Sequence, residues 1–129
     1  MIKVINVICD TNVGGAGKCL VNFAEYCNKD EFDVKYVVPK ESKLIPLLQK
    51  QNAYIIEIDG IKDKSFDLKS LRKLIKIFKQ EKPDIVHTHA TLVARLAAKI
   101  YGKCKIIYTR HCVYEVSPKI KKGLRKIYI

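Results

Sequence analysis

Short apolar runs and amphipathic stretches take turns along the whole chain. Runs bounded by Pro, Gly or Asp predict five strands, over 2–9, 33–38, 53–58, 84–89 and 105–110. Between them, apolar residues at helical spacing predict helices over 15–28, 43–51, 67–81 and 90–101. On the first helix Cys19, Leu20, Phe23, Ala24 and Cys27 fall on one face. Pro46 fits the second helix only within its first turn, where a missing N–H costs nothing. Asp67 suits the N-cap of the third helix and Gly102 the C′ position of the fourth. The third helix sets Leu68, Leu71, Leu74, Ile75 and Phe78 against Lys69, Arg72, Lys73, Lys76 and Lys79.

Strands that alternate with crossover helices form a parallel sheet covered on both faces. Right-handed crossovers then give an α/β, Rossmann-like doubly wound domain, with strand order 3-2-1-4-5. Its topological switch point falls between the first and fourth strands. Ligands of such sheets bind there, at the carboxyl ends of the strands. A length of 129 residues implies one domain, and no internal repeat interrupts it. Residues 118–129, Pro-Lys-Ile-Lys-Lys-Gly-Leu-Arg-Lys-Ile-Tyr-Ile, read as the opening of a helix with nothing after it, so a truncated architecture is expected.

Composition narrows the class. Hydrophobic content of 48% suits a folded core, and no long uncharged apolar run predicts a transmembrane helix. The first residues lack the form of a signal peptide. The five cysteines, Cys9, Cys19, Cys27, Cys104 and Cys112, contain no C-x-x-C pair. They are expected to be buried free thiols in a reducing, cytoplasmic setting. A net charge of +12 points to an anionic partner, although heavy use of Lys throughout supplies part of it. A nucleic-acid partner is not expected: no helix-turn-helix, RNP-like or zinc-finger pattern is present, and aromatics are only 9%.

Candidate chemistry starts at the loop after the first strand, Gly14-Gly15-Ala16-Gly17, which opens a helix. Such a turn offers bare backbone N–H groups and a positive helix end to a phosphate. It fits the Walker A pattern poorly. Gly17-Lys18 is in place, but Asn12 stands where the first Gly belongs and Cys19 replaces the magnesium-holding Ser or Thr. It also fails the dinucleotide fingerprint. Leu20 takes the third Gly position, and strand 2 runs into Pro39 and Lys40 rather than a ribose-binding acid. A P-loop-like nucleotide module using Lys18 remains the alternative function, and a basic nucleic-acid-binding protein a weaker one.

Two further stretches carry polar chemistry: Pro83-Asp84-Ile85-Val86-His87-Thr88-His89 and Tyr108-Thr109-Arg110-His111. His87 and His89 are two apart and so point to one face of a strand. His89 and His111 fall at the carboxyl ends of strands 4 and 5, on the same rim as the glycine loop. A zinc site from His87, His89, His111 and Cys112 has the right ligand types, but one-residue spacing on a strand argues against it.

Together, the three stretches resemble the glycine loop, the P-D-[IV]-[IV]-H-x-H strand and the T-x-H strand of glycosyltransferase family 4, of the GT-B fold. The likeness covers nearly the whole chain, with the motifs in order. It implies that Gly14, Gly15, Ala16 and Gly17 lie by the phosphates of a sugar nucleotide, with Gly15 and Ala16 making backbone contact. It implies that His111 is the active-site histidine beside the transferred sugar. Asn12, His87, His89 and Arg110 then line the cleft. Implied too are retention of anomeric configuration, no metal or cofactor, and a glycan or lipid-linked acceptor in envelope, polysaccharide or glycolipid synthesis. A GT-B enzyme has a second, C-terminal donor-binding domain, and this chain resembles the N-terminal, acceptor-side domain only. On its own it is therefore expected to be inactive. The basic face of helix 3, with Lys119, Lys121, Lys122, Arg125 and Lys126 in the tail, adds peripheral contact with an anionic membrane as an expectation.

Overall fold

A computed structural model of the chain describes residues 1–59 and 67–111. The elements follow in the order β1 (Ile2–Ile8), α1 (Gly15–Tyr26), β2 (Phe32–Pro39), α2 (Leu44–Lys50), β3 (Tyr54–Ile58), α3 (Leu68–Glu81), β4 (Ile85–His89), α4 (Leu92–Tyr101) and β5 (Lys105–Thr109). The sheet order is β3-β2-β1-β4-β5, and every pair is parallel. The expected doubly wound architecture is thus the one found.

Central strands buried on both faces are mostly apolar on both, and the buried residues of β1 are so apart from Asn6. Ile5 and Val7 face α3 and α4, in a core with Val37, Val86, Leu74, Phe78 and the small residues Ala94, Ala97 and Ala98. Ile8 faces the other way, in a core with Tyr36, Val38, Leu20, Ala24, Leu44 and Leu48. The alanines of α4 let that helix lie close to the sheet. At the edge, β5 leaves Ile106, Ile107 and Tyr108 exposed. It is tied to α4 by the Arg95 guanidinium, 4.1 Å from the Tyr108 ring centre.

The helix ends follow their residues. The Asp67 carboxylate accepts from the Lys69 N–H at 3.0 Å and from the Ser70 hydroxyl at 3.0 Å. Gly102 closes α4 at φ 71. Lys82 closes α3 at φ 50, a conformation that costs a side-chain-bearing residue more than it costs glycine. Pro46 lies in the first turn of α2.

Three expectations need correction. The buried stripe of α1 is Gly17, Leu20 and Ala24. Cys19 and Phe23 are each one residue out of that stripe, about 100° around the helix, and are exposed. Leu68, in the first turn of α3, is exposed rather than part of the apolar face. The described cysteines are not deeply buried: Cys9, Cys27 and Cys104 are half-buried and Cys19 exposed. Cys112 and the basic tail lie outside the described residues. Among the described residues, no helix is long and apolar enough to cross a membrane.

Candidate functional site

Parallel pairing brings the strand ends level. Ile8 stands in register with His89, and His89 with Thr109. Just past that level, β1 gives way to the glycine loop, β4 to Ala90 and α4, and β5 to His111. These turns share the carboxyl rim on either side of the β1/β4 switch point.

The period of two sets His87 and His89 on the face that also carries Asn6 and Thr109. The His87 and His89 rings lie 4.1 Å apart, centre to centre, and the His89 and His111 rings 5.2 Å apart and nearly parallel, at 17°. His89 is engaged at both ring nitrogens. Its Nδ1 is 2.9 Å from Nε2 of His111, and its Nε2 is 3.2 Å from Oδ1 of Asn6. His87 Nε2 lies 2.6 Å from the Thr109 hydroxyl. Burial, then the neighbouring imidazoles His87 and His111, push the pKa of His89 down to about 3. Burial, then His111, also lowers that of His87. Both rings are therefore neutral at pH 7.

The glycine loop is held by local bonds. Asp10 Oδ1 accepts from the Asn12 N–H at 3.0 Å, a turn typical of Asp. The Thr11 carbonyl accepts from Lys43 N–H at 2.9 Å, tying the loop to the start of α2. Gly14 is the N-cap of α1 and has no side chain to cap it, so no side chain competes for the amides of the first turn. Gly14, Gly15 and Gly17 do not need left-handed backbone. Their use is space: a Cβ on Gly15 would meet nothing within 4 Å, whereas one on Gly17 would lie 2.7 Å from Leu44 Cδ2. Gly15 is open to a visitor; Gly17 is occupied by the protein's own packing.

The turn after β4 is strained. Ala90, directly after His89, has φ 60, which few residues other than glycine adopt. Thr91 caps α4 with its hydroxyl buried and, among the described residues, unpartnered.

Of the residues singled out from sequence, His87, His89 and His111 come together as one stack. Asn12, Gly15, Arg110 and His111 are exposed on the rim, Gly14 and Ala16 half-buried, and Gly17 and His89 buried. Asn6, which bonds His89, lies in none of the motifs, whereas Thr109, which bonds His87, is the Thr of the T-x-H stretch but carried no role there. A lone Asn within the apolar run Ile-Lys-Val-Ile-Asn-Val-Ile was the signal for the first. Among the described residues, no three His, Cys, Asp or Glu side chains are placed to hold a metal ion. The imidazoles bond to one another, to Asn6 and to Thr109 instead. A cavity of about 220 Å³ lies elsewhere, at the amino ends of β1 and β2, among Cys27, Phe32, Tyr36, Asn52 and Tyr54. It contains no imidazole, so the polar cluster and not the cavity marks the candidate site.

A doubly wound domain with an imidazole stack and an uncapped helix start on one rim is the class defined so far. The chain belongs to Glycosyltransferase Family 4, whose family model matches residues 13–129. Over 136 residues it is 28% identical to the UDP-Gal:alpha-D-GlcNAc-diphosphoundecaprenol alpha-1,3-galactosyltransferase of Escherichia coli, covering 98% of this chain and 34% of that one. Among solved structures, a glycosyltransferase from Rickettsia africae ESF-5 superposes with a TM-score of 0.75 at 22% identity, over 94% of this chain and 32% of that one. MurG of Acinetobacter baumannii gives 0.70 at 18% identity, over 94% and 38%. A putative UDP-N-acetylglucosamine 2-epimerase from Listeria monocytogenes gives 0.65 at 17%, over 84% and 30%. At these identities the structures share a fold, and that fold serves proteins described as transferases and as epimerases alike. The chain spans about a third of the length of these relatives.

Proposed function

We propose that this chain is the acceptor-side, N-terminal part of a retaining glycosyltransferase that uses a nucleotide sugar, in the synthesis of envelope polysaccharide or glycolipid. The observation that carries the reading is the rim itself: the uncapped amides at Gly15 and Ala16 and the exposed imidazole of His111 flank the β1/β4 switch point of one sheet. In this reading the amides of Gly14 to Gly17 face the donor diphosphate. The leaving diphosphate gains negative charge, which preorganised N–H groups stabilise without rearranging. A helix start contributes about 0.3–1 kcal/mol per charge in an exposed setting, so further donors must share the task. His111 faces the transferred sugar, and Asn12, His87, His89 and Arg110 border the cleft. Coverage of about a third of each relative supports the view that the remaining donor contacts come from a second domain. We expect no sugar transfer by these 129 residues alone.

The E. coli relative is named for a UDP-galactose donor, which supplies the probe. Titrating the isotope-labelled chain with UDP-galactose should move the amide signals of Gly15, Ala16 and Gly17 and the ring signals of His111. An unmoved Gly15 amide at millimolar nucleotide sugar would sink the reading. A response to ATP with magnesium instead, centred on Lys18, would favour a P-loop-like nucleotide module.

We propose also that the exposed cations of α3, Lys69, Arg72, Lys76 and Lys79, rest on an anionic membrane surface. Each close cation contributes about 1 kcal/mol there. Sedimentation with phosphatidylserine vesicles should exceed that with neutral vesicles and fade in high salt; equal sedimentation would refute it.

A further inference from the structure

We propose that Asn6 and His89 are positioning residues that fix which nitrogen of His111 carries its hydrogen, leaving Nδ1 of His111 bare and turned to the open rim. The bonds form one chain, Asn6 Oδ1 to His89 Nε2 at 3.2 Å, then His89 Nδ1 to His111 Nε2 at 2.9 Å.

The assignment follows from what each atom can do. Asn6 Oδ1 is a carbonyl oxygen and can only accept, so His89 must carry its hydrogen on Nε2. The ionisable groups acting on His89 are His87 and His111, both imidazoles, and His89 is 4% exposed. Among the described residues nothing there favours a second proton, so Nδ1 of His89 is a bare acceptor. The nitrogen facing it, Nε2 of His111, must then donate. That leaves Nδ1 of His111 as the lone-pair side of an exposed ring. The logic is that of any imidazole whose far nitrogen is held by a fixed partner.

The anchor is rigid. Asn6 sits in the central strand β1 at 1% exposure, and its Nδ2 has no partner among the described residues. A buried amide that leaves one donor unpaired is a cost, and among the described residues the side chain of Asn6 bonds His89 alone. His89 is held in addition by the His87 ring at 4.1 Å. On the proposed function, a bare Nδ1 would accept a hydrogen bond from a substrate hydroxyl. Only that last step rests on the transferase reading; the relay does not.

The test is imidazole nitrogen spectroscopy on the full 129-residue chain at neutral pH. We expect hydrogen on Nε2 of both His89 and His111, an unprotonated Nδ1 on His111, and a scalar coupling through the hydrogen bond between His89 Nδ1 and His111 Nε2. In Asn6→Leu the second tautomer of His89 should appear. In His89→Leu the second tautomer of His111 should appear. His89→Asn, whose side-chain oxygen stands near the lost Nδ1, should return His111 to one form. Hydrogen on Nδ1 of His89 with a bare Nε2 on His111 would overturn the assignment. So would absence of the coupling in the unaltered chain, a measurement that needs no variant to fold. Sugar transfer enters none of these readings, so failure of the relay and failure of the transferase reading are separate results.

Discussion

The Cβ that any other residue would bring to position 17 lies 2.7 Å from Cδ2 of Leu44, a side chain with no exposed surface. Gly17 is therefore the point where α1 closes on α2, and the glycine run serves two purposes. Gly15→Ala adds a methyl group to open space at a helix start, so stability should hold or rise by up to about 1 kcal/mol. Gly17→Ala should lose about 1–2 kcal/mol, because overpacking outweighs the gain in helix propensity. Urea unfolding of both variants checks the contrast. Equal stabilities would show that Leu44 simply moves aside. On the proposed reading, Gly15→Ala should weaken the response to UDP-galactose without lowering stability.

The histidine stack makes stability depend on pH. His89 and His87 have folded-state pKa values below 6.5, so the unfolded chain binds their protons more readily. Their contribution is fully present above pH 6.5 and is lost as pH falls below it, toward the folded value of about 3 for His89. Each such group contributes a slope of at most about 1.4 kcal/mol per pH unit. Unfolding free energies at pH 7.5, 6 and 5 should fall in that order. His89→Asn should flatten the curve. A profile unchanged in that variant would remove His89 as the cause.

Ala90 has φ 60 in the turn between His89 and α4. Left-handed backbone costs a residue with a Cβ about 1–2 kcal/mol, and glycine returns about 0.4–1 kcal/mol of that through its freer unfolded chain. Ala90→Gly should therefore gain about 0.5 kcal/mol. Ala90→Val should lose more than that, because a β-branched residue tolerates this region least. Thermal melting distinguishes them. A valine variant as stable as the original would mean the turn is not fixed as described.

Tyr36 is buried to 1% exposure, and its hydroxyl has no hydrogen-bond partner among the described residues. Burial raises its pKa above the usual phenol range. An unpaired buried hydroxyl costs about 1–3 kcal/mol, so Tyr36→Phe should be neutral or stabilising by about 1 kcal/mol. A clear loss of stability on denaturation would indicate an ordered water serving that oxygen.

Much of this protein was decided by neighbours close in sequence. The alternation of apolar runs with amphipathic stretches marked out the nine elements found among the described residues, and right-handed crossovers between them set the order of the sheet. Asp67 and Gly102 marked helix ends because a cap is made within one turn. His87 and His89 shared a face because a strand repeats every two residues. What the chain could not state locally is which residues meet across it. His89 touches Asn6, 83 positions away, and His111, 22 away, only because parallel pairing aligns β1, β4 and β5 at one level. The choice of Gly17 over Cys19 for the buried stripe of α1 belongs to Leu44, a residue of another helix. Periodicity fixes a residue's direction relative to its own element; the packing of that element against others fixes what lies in that direction.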